Sequence, residues 1–217
     1  MRSLRSLVAA LLLFAATSGT AQAGVVLLGT RVVYPGQAKE KTLQMTNRGD
    51  KPAVVQSWID DDQPNVDPHQ IHVPFVLTPA LSRLDPNQGQ ALRLHYVPDP
   101  AKPLPDDRES VFYLNVLEIP PKPENADSRN LLQLAVRNRI KLFYRPANLS
   151  KPDDAANSAT WSLRQDAGNS VIEVHNPSAY YLSLNKVALS NGAETEPAMI
   201  APSSRSRRRS PWRPCTS

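Results

Sequence analysis

Residues 131–146 read LLQLAVRNRIKLFYRP, a long alternating stretch in a chain whose other apolar segments are short. Apolar side chains fill most even positions, and basic side chains fill half of the odd ones: Leu132, Leu134, Val136, Ile140, Leu142 and Tyr144 against Arg137, Arg139, Lys141 and Arg145. Such alternation predicts a β-strand with one apolar face. Soluble proteins normally cover or blunt a strand of this kind, because an open edge templates aggregation. The use of this strand is therefore the central question.

The first 23 residues have the composition of a secretory signal peptide. Arg2 and Arg5 supply a positive start, residues 7–16 an apolar run, and Ala21-Gln22-Ala23 a small-residue cleavage site. The alternative, a membrane anchor, is disfavoured because the apolar run is too short to span a bilayer. We expect the mature protein to begin near Gly24 and to work outside the cytoplasm.

The charge distribution argues against a nucleic-acid partner. The chain has 25 Lys and Arg residues and 20 Asp and Glu residues, a formal net charge of +5. Two of the basic residues lie in the signal peptide and five in residues 205–217, which leaves 18 basic and 20 acidic residues for 24–204. The body of the protein is therefore slightly acidic, and we expect no polyanion binding by the fold.

Short segments with strand character follow the signal peptide and are separated by turn residues. They are Val25–Leu28, Arg31–Tyr34, Thr42–Met45, Ala53–Trp58, Val73–Leu77, Ala91–Tyr96, Val111–Leu117 and the opening strand, then Trp161–Leu163, Val171–His175, Tyr180–Leu184 and Lys186–Leu189. Helical periodicity is nearly absent, and 21 prolines disfavour long helices. The pattern predicts an all-β protein of two sandwich domains. A polar, small-residue segment at 147–159 places the boundary near Pro146.

The sequence offers little that could carry catalysis or hold a metal or cofactor. It contains no G-x-S-x-G, H-E-x-x-H or Gly-rich phosphate loop, and only eight glycines. His69 and His72 lack convincing ligand spacing. The Asp60-Asp61-Asp62 run lacks the calcium-loop pattern and is interpreted as a solvated turn. We therefore expect no enzyme activity, no cofactor, no metal and no small-molecule substrate.

Several ordered motifs together resemble the periplasmic chaperones of chaperone–usher pili. They are TRVVYPG (30–36), VQSWIDDD (55–62), PFVLTPALSRL (74–84), LPDDRESVFYLNVLEIPPKP (104–123) and LQLAVRNRIKLFYRP (132–146), continued by W-x-L at 161–163 and HNPSAYYLSL at 175–184. The resemblance implies two immunoglobulin-like sandwiches with a cleft between them. It also implies a function: holding pilus or fimbrial subunits that lack a strand, by donor-strand complementation, and delivering them to an outer-membrane usher.

The resemblance also assigns residues. Leu132, Leu134 and Val136 match the donor positions that enter the groove of the subunit. Arg31 and Lys141 match two cleft cations that bind its terminal carboxylate, with Thr30 in support. The parity of Lys141 differs from that of the donor positions, so either a bulge or twist separates them or they serve two different surfaces.

The resemblance further matches Glu109 and Arg145 to an ion pair that holds the two domains at their angle. We expect this pair to have a structural role. Were it exposed, it would contribute only about 0–1 kcal/mol, and its importance would lie in geometry.

The C-terminal part departs from the family pattern. Residues 147–204 supply four or five predicted strands, fewer than the roughly seven of an immunoglobulin-like sandwich, so we expect an incomplete second domain. Residues 205–217, RSRRRSPWRPCTS, contain five arginines and the only cysteine, Cys215. We expect this tail to be disordered, either as a polybasic extension for anionic membranes or, preferably, as the product of a frameshift.

Three rival functions remain open. The first is an envelope protein of immunoglobulin type that binds a ligand or mediates adhesion. The second is a secreted β-sandwich hydrolase, and the third is a truncated, inactive chaperone product. Co-purification with a subunit that ends in a free carboxylate distinguishes a working chaperone from all three.

Overall fold

The computed structural model describes residues 24–122, 132–149, 152, 155–166, 169–184, 186–188, 194–195 and 199–209. The strands are β1 (Val25–Leu27), β2 (Arg31–Pro35), β3 (Lys41–Asn47), β4 (Ala53–Asp60), β5 (Phe75–Thr78), β6 (Leu81–Leu84), β7 (Gly89–Tyr96), β8 (Ser110–Ile119), β9 (Val136–Arg145), β10 (Thr160–Asp166), β11 (Asn169–Asn176), β12 (Val187–Ala188), β13 (Glu194–Thr195) and β14 (Ser204–Arg209). One short 3-10 turn lies at Pro68–Gln70. The prediction of an all-β fold is confirmed.

Two sheets form the first domain. A four-stranded sheet has the order β1-β3-β7-β5, and a five-stranded sheet has the order β2-β9-β8-β4-β6. Burial alternates along the inner strands, so that in β4 Ala53, Val55 and Ile59 are buried while Val54 is exposed. Alternate residues point to opposite faces of a strand, so the apolar parity of each strand forms one shared core between the sheets.

Aromatic rings fill one part of the core of the first domain. Phe75 packs edge-on against Phe112 and Tyr34, with ring centroids 5.0 and 5.7 Å apart. The hydroxyl of Tyr34, which is fully buried, donates to the Ala38 carbonyl and accepts from the Tyr96 amide. The buried polar atom is thus satisfied, as a buried hydroxyl requires.

The N-terminal strand changes sheets partway along its length. β1 pairs with β3 of the four-stranded sheet, whereas β2 pairs in parallel with β9 of the other. Gly29 lies at the crossing with φ 111°, a conformation that residues with a Cβ rarely adopt. Because of this switch, β2 reaches β9 only from Lys141 onward, and the preceding half of β9 has no described partner on that side.

The second domain contains smaller sheets. β10, β11 and β14 form a three-stranded sheet, β12 and β13 a two-stranded one, and Leu182 bridges to Ile200. The core is small and is formed by Ala155, Ile172, Val174, Tyr180, Leu182 and Ile200. The side-chain amide of buried Asn176 donates to the Tyr180 and Ala201 carbonyls, which fixes the turn that follows β11.

The expectation of a disordered tail from residue 205 is wrong for Arg205–Arg209, which belong to β14. This strand pairs with β11 over six residues, from Ser204 opposite Asn176 to Arg209 opposite Val171. The composition argument considered only apolar burial, whereas the exposed edge of β11 also presents backbone groups that a neighbouring strand can satisfy. Residues 210–217, including Cys215, lie outside the described residues, as does the signal peptide at 1–23.

Candidate functional site

Of the three predicted donor residues, Val136 begins β9, whereas Leu132 and Leu134 lie in the segment that precedes it, because the strand is shorter than the alternation predicts. Leu132, Leu134 and Val136 are 85%, 68% and 54% exposed, whereas Leu142 on the same parity is fully buried. Residues 132–135 run into the strand without a described ladder partner, and the Gln133 amide donates to the Pro120 carbonyl at 2.7 Å. An apolar row therefore continues from the core of the first domain into solvent.

Arg31 and Lys141 are direct register partners across the β2–β9 pair. In-register neighbours project to the same face, and like charges in this position repel each other. Lys141 Nζ lies 3.1 Å from Ser183 Oγ of the second domain, to which it donates. Within the described part of the chain, neither cation forms an ion pair, so the structure brings together two positive charges without a carboxylate.

The other basic side chains on this face of β9 have oxygen partners. Arg139 contacts Asp60 at 2.6 Å, and Arg145 contacts Glu109 at 2.8 Å. Arg137 donates to the Pro64 carbonyl at 2.7 Å. Lys141 and its neighbour Arg31 are thus distinguished from Arg139 and Arg145 by the lack of a carboxylate partner.

The difference in parity between Lys141 and the donor residues has a simple geometric answer. β9 pairs with β8 without interruption, from Val136 opposite Glu118 to Tyr144 opposite Ser110, so no bulge lies between Val136 and Lys141. Odd-numbered residues of β9 lie on the outer face of the sheet, where Phe143 packs 5.8 Å from the Tyr181 ring of the second domain. Even-numbered residues follow the core face. Val136 and Lys141 therefore lie on two different surfaces of β9.

Glu109 joins the two domains. Its backbone amide donates to the Ala179 carbonyl, and its carboxylate accepts from the Tyr181 amide at 3.0 Å and from Arg145 Nε at 2.9 Å. The guanidinium of Arg145 also lies 5.1 Å from the centre of the Tyr180 ring. The Glu109 side chain is only 3% exposed. The low energy expected for an exposed pair therefore does not apply, because losing one partner would leave a buried charge.

Thr30 lies exposed in the bend between β1 and β2, beside Arg31. No hydrogen bond from its side chain is seen among the described residues. Its supporting role stays a prediction from the resemblance.

The interpretation of residues 60–62 as a solvated turn missed a buried network. Asp60 is fully buried and accepts from Arg139 and from Asn115 Nδ2, the latter at 2.6 Å. Arg139 in turn lies over the Tyr113 ring, 3.5 Å from its centre. The alternation of β4 places Asp60 on the same face as Trp58, but its partners come from distant strands that no local pattern reveals.

The described residues contain no group of three or more His, Cys, Asp or Glu side chains that could hold a metal. His69 lies in the exposed 3-10 turn, and His72 lies two residues after it. His95 contacts Glu40 at 3.2 Å. Among the same residues, no helix is long and apolar enough to cross a membrane.

Both halves of the chain match known domain families. Residues 24–150 match the N-terminal domain of the pili and flagellar-assembly chaperone PapD, and residues 154–216 match the C-terminal domain of the pili assembly chaperone PapD. The chaperone protein FimB/FhaD of Bordetella pertussis is 46% identical over 196 residues, which are 88% of this chain and 79% of the relative.

Solved structures agree with the family match. The YadV chaperone crystal structure superposes with a TM-score of 0.71 at 36% identity and covers 88% of this chain and 87% of its own. A chain of the Salmonella enterica complex between the SafA pilin and the SafB chaperone superposes with a TM-score of 0.74 at 26% identity, covering 89% and 86%. The chain therefore belongs to the PapD family of pilus-assembly chaperones, built from two immunoglobulin-like domains.

Proposed function

We propose that this protein is a periplasmic chaperone that caps a pilus or fimbrial subunit by lending it the open edge of β9. The observation that carries the proposal is the coincidence of two features on one strand. An unpaired edge with exposed Leu132, Leu134 and Val136 lies next to the carboxylate-free cations Arg31 and Lys141. The SafB relative, solved with a pilin, supports the same kind of partner.

The donor residues would supply apolar burial. A subunit that lacks one strand has a groove between its sheets, and the alternating side chains of β9 have the spacing to fill it. Each buried Leu or Val contributes at most about 1.5–3 kcal/mol. Backbone hydrogen bonds along the edge add about 0.5–1.5 kcal/mol each, so apolar burial supplies much of the affinity and the backbone bonds help to set the direction.

The cation pair would anchor the end of the subunit chain. A terminal carboxylate has two acceptor oxygens, and Arg and Lys provide charge-assisted donors for them. Fixing one chain end at Lys141 also decides which subunit residue meets Leu134 and which meets Leu132. The pair therefore sets register, which in a strand decides which side chains enter the groove.

Further parts of the proposal follow from the family and from the N-terminal sequence. The signal peptide at 1–23 directs the chain to the periplasm, and an outer-membrane usher receives the loaded chaperone. The protein acts by binding alone, without catalysis or cofactor. The buried Glu109–Arg145 pair, with its contacts to Ala179 and Tyr181, holds the angle between the domains.

Co-purification tests the proposal. The mature chain, produced in a periplasm with a fimbrial subunit from its own operon, is expected to be recovered in an equimolar complex. The matched control is the same subunit with a glycine–serine extension at its C-terminus, which moves the carboxylate away from Lys141 and is expected to reduce recovery strongly. Equal recovery of both subunits would contradict the carboxylate anchor, and recovery of neither would favour a ligand-binding envelope protein. Turnover that depends on a side-chain nucleophile would favour the hydrolase.

A further inference from the structure

A buried carboxylate lies in the same row of the sheet as the proposed anchor. Asp60, Tyr113, Lys141 and Arg31 are successive register partners across β4, β8, β9 and β2. Partners in one row project to the same face. Adjacent strands are about 4.8 Å apart, so the Asp60 backbone is roughly 10 Å from that of Lys141.

Arg139, which lies in the neighbouring row, binds the Asp60 carboxylate. Its Nη2 donates to Asp60 Oδ1 at 2.6 Å and its Nε to Asp60 Oδ2 at 3.1 Å, an arrangement that engages both oxygens. The same Nη2 reaches Asp62 Oδ1 at 3.2 Å. One guanidinium therefore holds two carboxylates.

The remaining contacts keep Asp60 ionised. Asn115 Nδ2 and the backbone amides of Asp62 and Gln63 also donate to it. Burial alone would raise the pKa of Asp60, but the hydrogen bonds from Arg139 and Asn115 and the charge of Arg139 outweigh burial and hold that pKa below its ordinary value.

Tyr113 separates the two charged groups. Its ring lies between Asp60 and Lys141 in the row, with the Arg139 guanidinium 3.5 Å from the ring centre. Stacking of a guanidinium on an aromatic face favours a fixed orientation for both. Tyr113 thus helps to fix the orientation of the guanidinium that holds Asp60.

We propose that Arg139 is a positioning residue that keeps Asp60 and Asp62 away from the Arg31–Lys141 pair, so that this pair stays open to the carboxylate of the incoming subunit. The inference rests on the proposed function, since it concerns the same anchor. Without Arg139, Asp60 and Asp62 lose their cation, and the next cation in the row of Asp60 is Lys141. An internal carboxylate then competes with the subunit.

The test compares two short synthetic peptides of alternating apolar and polar residues, identical except that one ends in a free acid and the other in an amide. The full mature chain is titrated with each, and the ratio of the two affinities reports the carboxylate anchor alone. Arg139→Met is expected to lower this ratio about tenfold, the order of one charge-assisted hydrogen bond. Arg139→Lys is expected to retain most of the ratio, and Arg139→Met with Asp60→Asn and Asp62→Asn to restore it.

Controls separate positioning from general damage. Arg164→Met disrupts the ion pair of Arg164 with buried Glu173 in the second domain and is expected to leave the ratio unchanged. If Arg139→Met does not fold, Arg139→Gln keeps amide donors for Asp60 but removes the charge, and the same loss is expected.

The outcomes distinguish the two proposals. A wild-type chain that binds acid and amide equally overturns the anchor and this inference together. A wild-type preference that survives unchanged in both Arg139→Met and Arg139→Gln overturns only the inference. A lowered ratio that the Asp60→Asn and Asp62→Asn changes do not restore also overturns it, because the lost contact would then be one that Arg139 itself makes to the peptide.

Discussion

Strands β9 and β14 are both rich in arginine, yet they are held in different ways. In β9, basic residues alternate with apolar ones, and buried Leu142 lies on the opposite face from Arg139 and Arg145 with their carboxylates. In β14, the register positions opposite Val174 and Ile172 are occupied by Ser206 and Arg208, neither of which is an apolar residue. Backbone hydrogen bonds hold both strands in their sheets. Only a strand with alternating apolar residues also contributes side chains to a core.

The neighbouring strand β10 shows the consequence for the second domain. Trp161 and Leu163 are opposite Val174 and Ile172, hence on the core side of the sheet, but are 47% and 56% exposed. In the first domain, the equivalent row on β9 is fully buried at Leu142 and opens only at the donor end. The open apolar surface in the first domain thus continues a complete core, whereas in the second it lies beside a small one.

The largest expected effect contrasts the buried part of β9 with the exposed segment that precedes it. Leu142→Asp places a charge in a fully buried site and should prevent folding, since a buried unpaired charge costs many kcal/mol before relaxation. Leu134→Asp, at an exposed site of the same parity, should leave the melting temperature nearly unchanged while abolishing subunit binding. Circular dichroism melts and co-purification check both. Unfolding by Leu134→Asp would show that Leu134 belongs to the chaperone's own core.

The second prediction concerns Lys141, which has no carboxylate partner among the described residues. Lys141→Glu should leave the free protein folded, because it removes repulsion with Arg31 and breaks one hydrogen bond to Ser183. It should eliminate subunit retention by repelling the terminal carboxylate. Pull-down with a full-length subunit is the measurement, and Lys102→Glu in an exposed loop is the matched charge reversal. A stable complex with the Lys141 variant would refute the anchor.

The interdomain pair gives an intermediate effect. Glu109→Gln keeps an oxygen for the Tyr181 amide but removes the charge that faces Arg145, which is partly exposed and can regain water. We expect a loss of about 1–3 kcal/mol in the free energy of unfolding, measured by urea denaturation. Asp107→Asn, in an exposed pair with Arg108, should change it by less. Equal effects of the two changes would argue against a special role for Glu109.

Trypsin compares the two arginine-rich strands directly. Both contain cleavage sites, but those in β14 lie in the domain with the smaller core, so they open at lower free energy. We expect cleavage in β14 first, followed by a resistant fragment that ends near residues 145–151, where we propose the domain boundary. Mass spectrometry of the fragments checks the order. Early cleavage within β9, or a second domain as resistant as the first, would contradict the comparison.

The smallest expected effect concerns the stability of the second domain. It tests whether an apolar side chain on the core side of β14 is enough to stabilise that domain. Ser206→Val places a β-branched residue opposite Val174 on the core side and should stabilise the second domain by about 0.2–1 kcal/mol. Arg205→Val, opposite His175 on the other face, is the control and should bring less. Slower tryptic cleavage in β14 for the first variant only is the expected result.

Much of the first domain can be predicted from local patterns. The alternation of 132–146 predicts a strand, which the structure has at Val136–Arg145, and the parity of its core face, because side chains alternate with period two whatever the strand pairs with. The polar, small-residue segment at 147–159 marks where that pattern ends. The resemblance to pilus chaperones then selects Arg31 and Lys141 from a chain with 25 basic residues.

The second domain shows where local patterns fail. The composition of 205–209 predicted disorder, and the structure instead pairs it with β11. The failure has a physical reason: strand pairing also satisfies backbone groups, which every sequence has, and the partner edge lies about thirty residues away in the chain. Likewise, the Asp60 run reads as a polar turn until Arg139 and Asn115 are brought to it by neighbouring strands.

The sequence by itself determined the all-β class and the strand parities, since each depends on neighbouring residues. Only the tertiary structure decided that β1 and β2 divide between two sheets at Gly29, that half of the β9 edge is thereby left open, and that Arg31 comes to lie beside Lys141. These features depend on which strands pair and in what register. Pairing is decided by contacts between residues far apart in the chain, which local alternation does not encode.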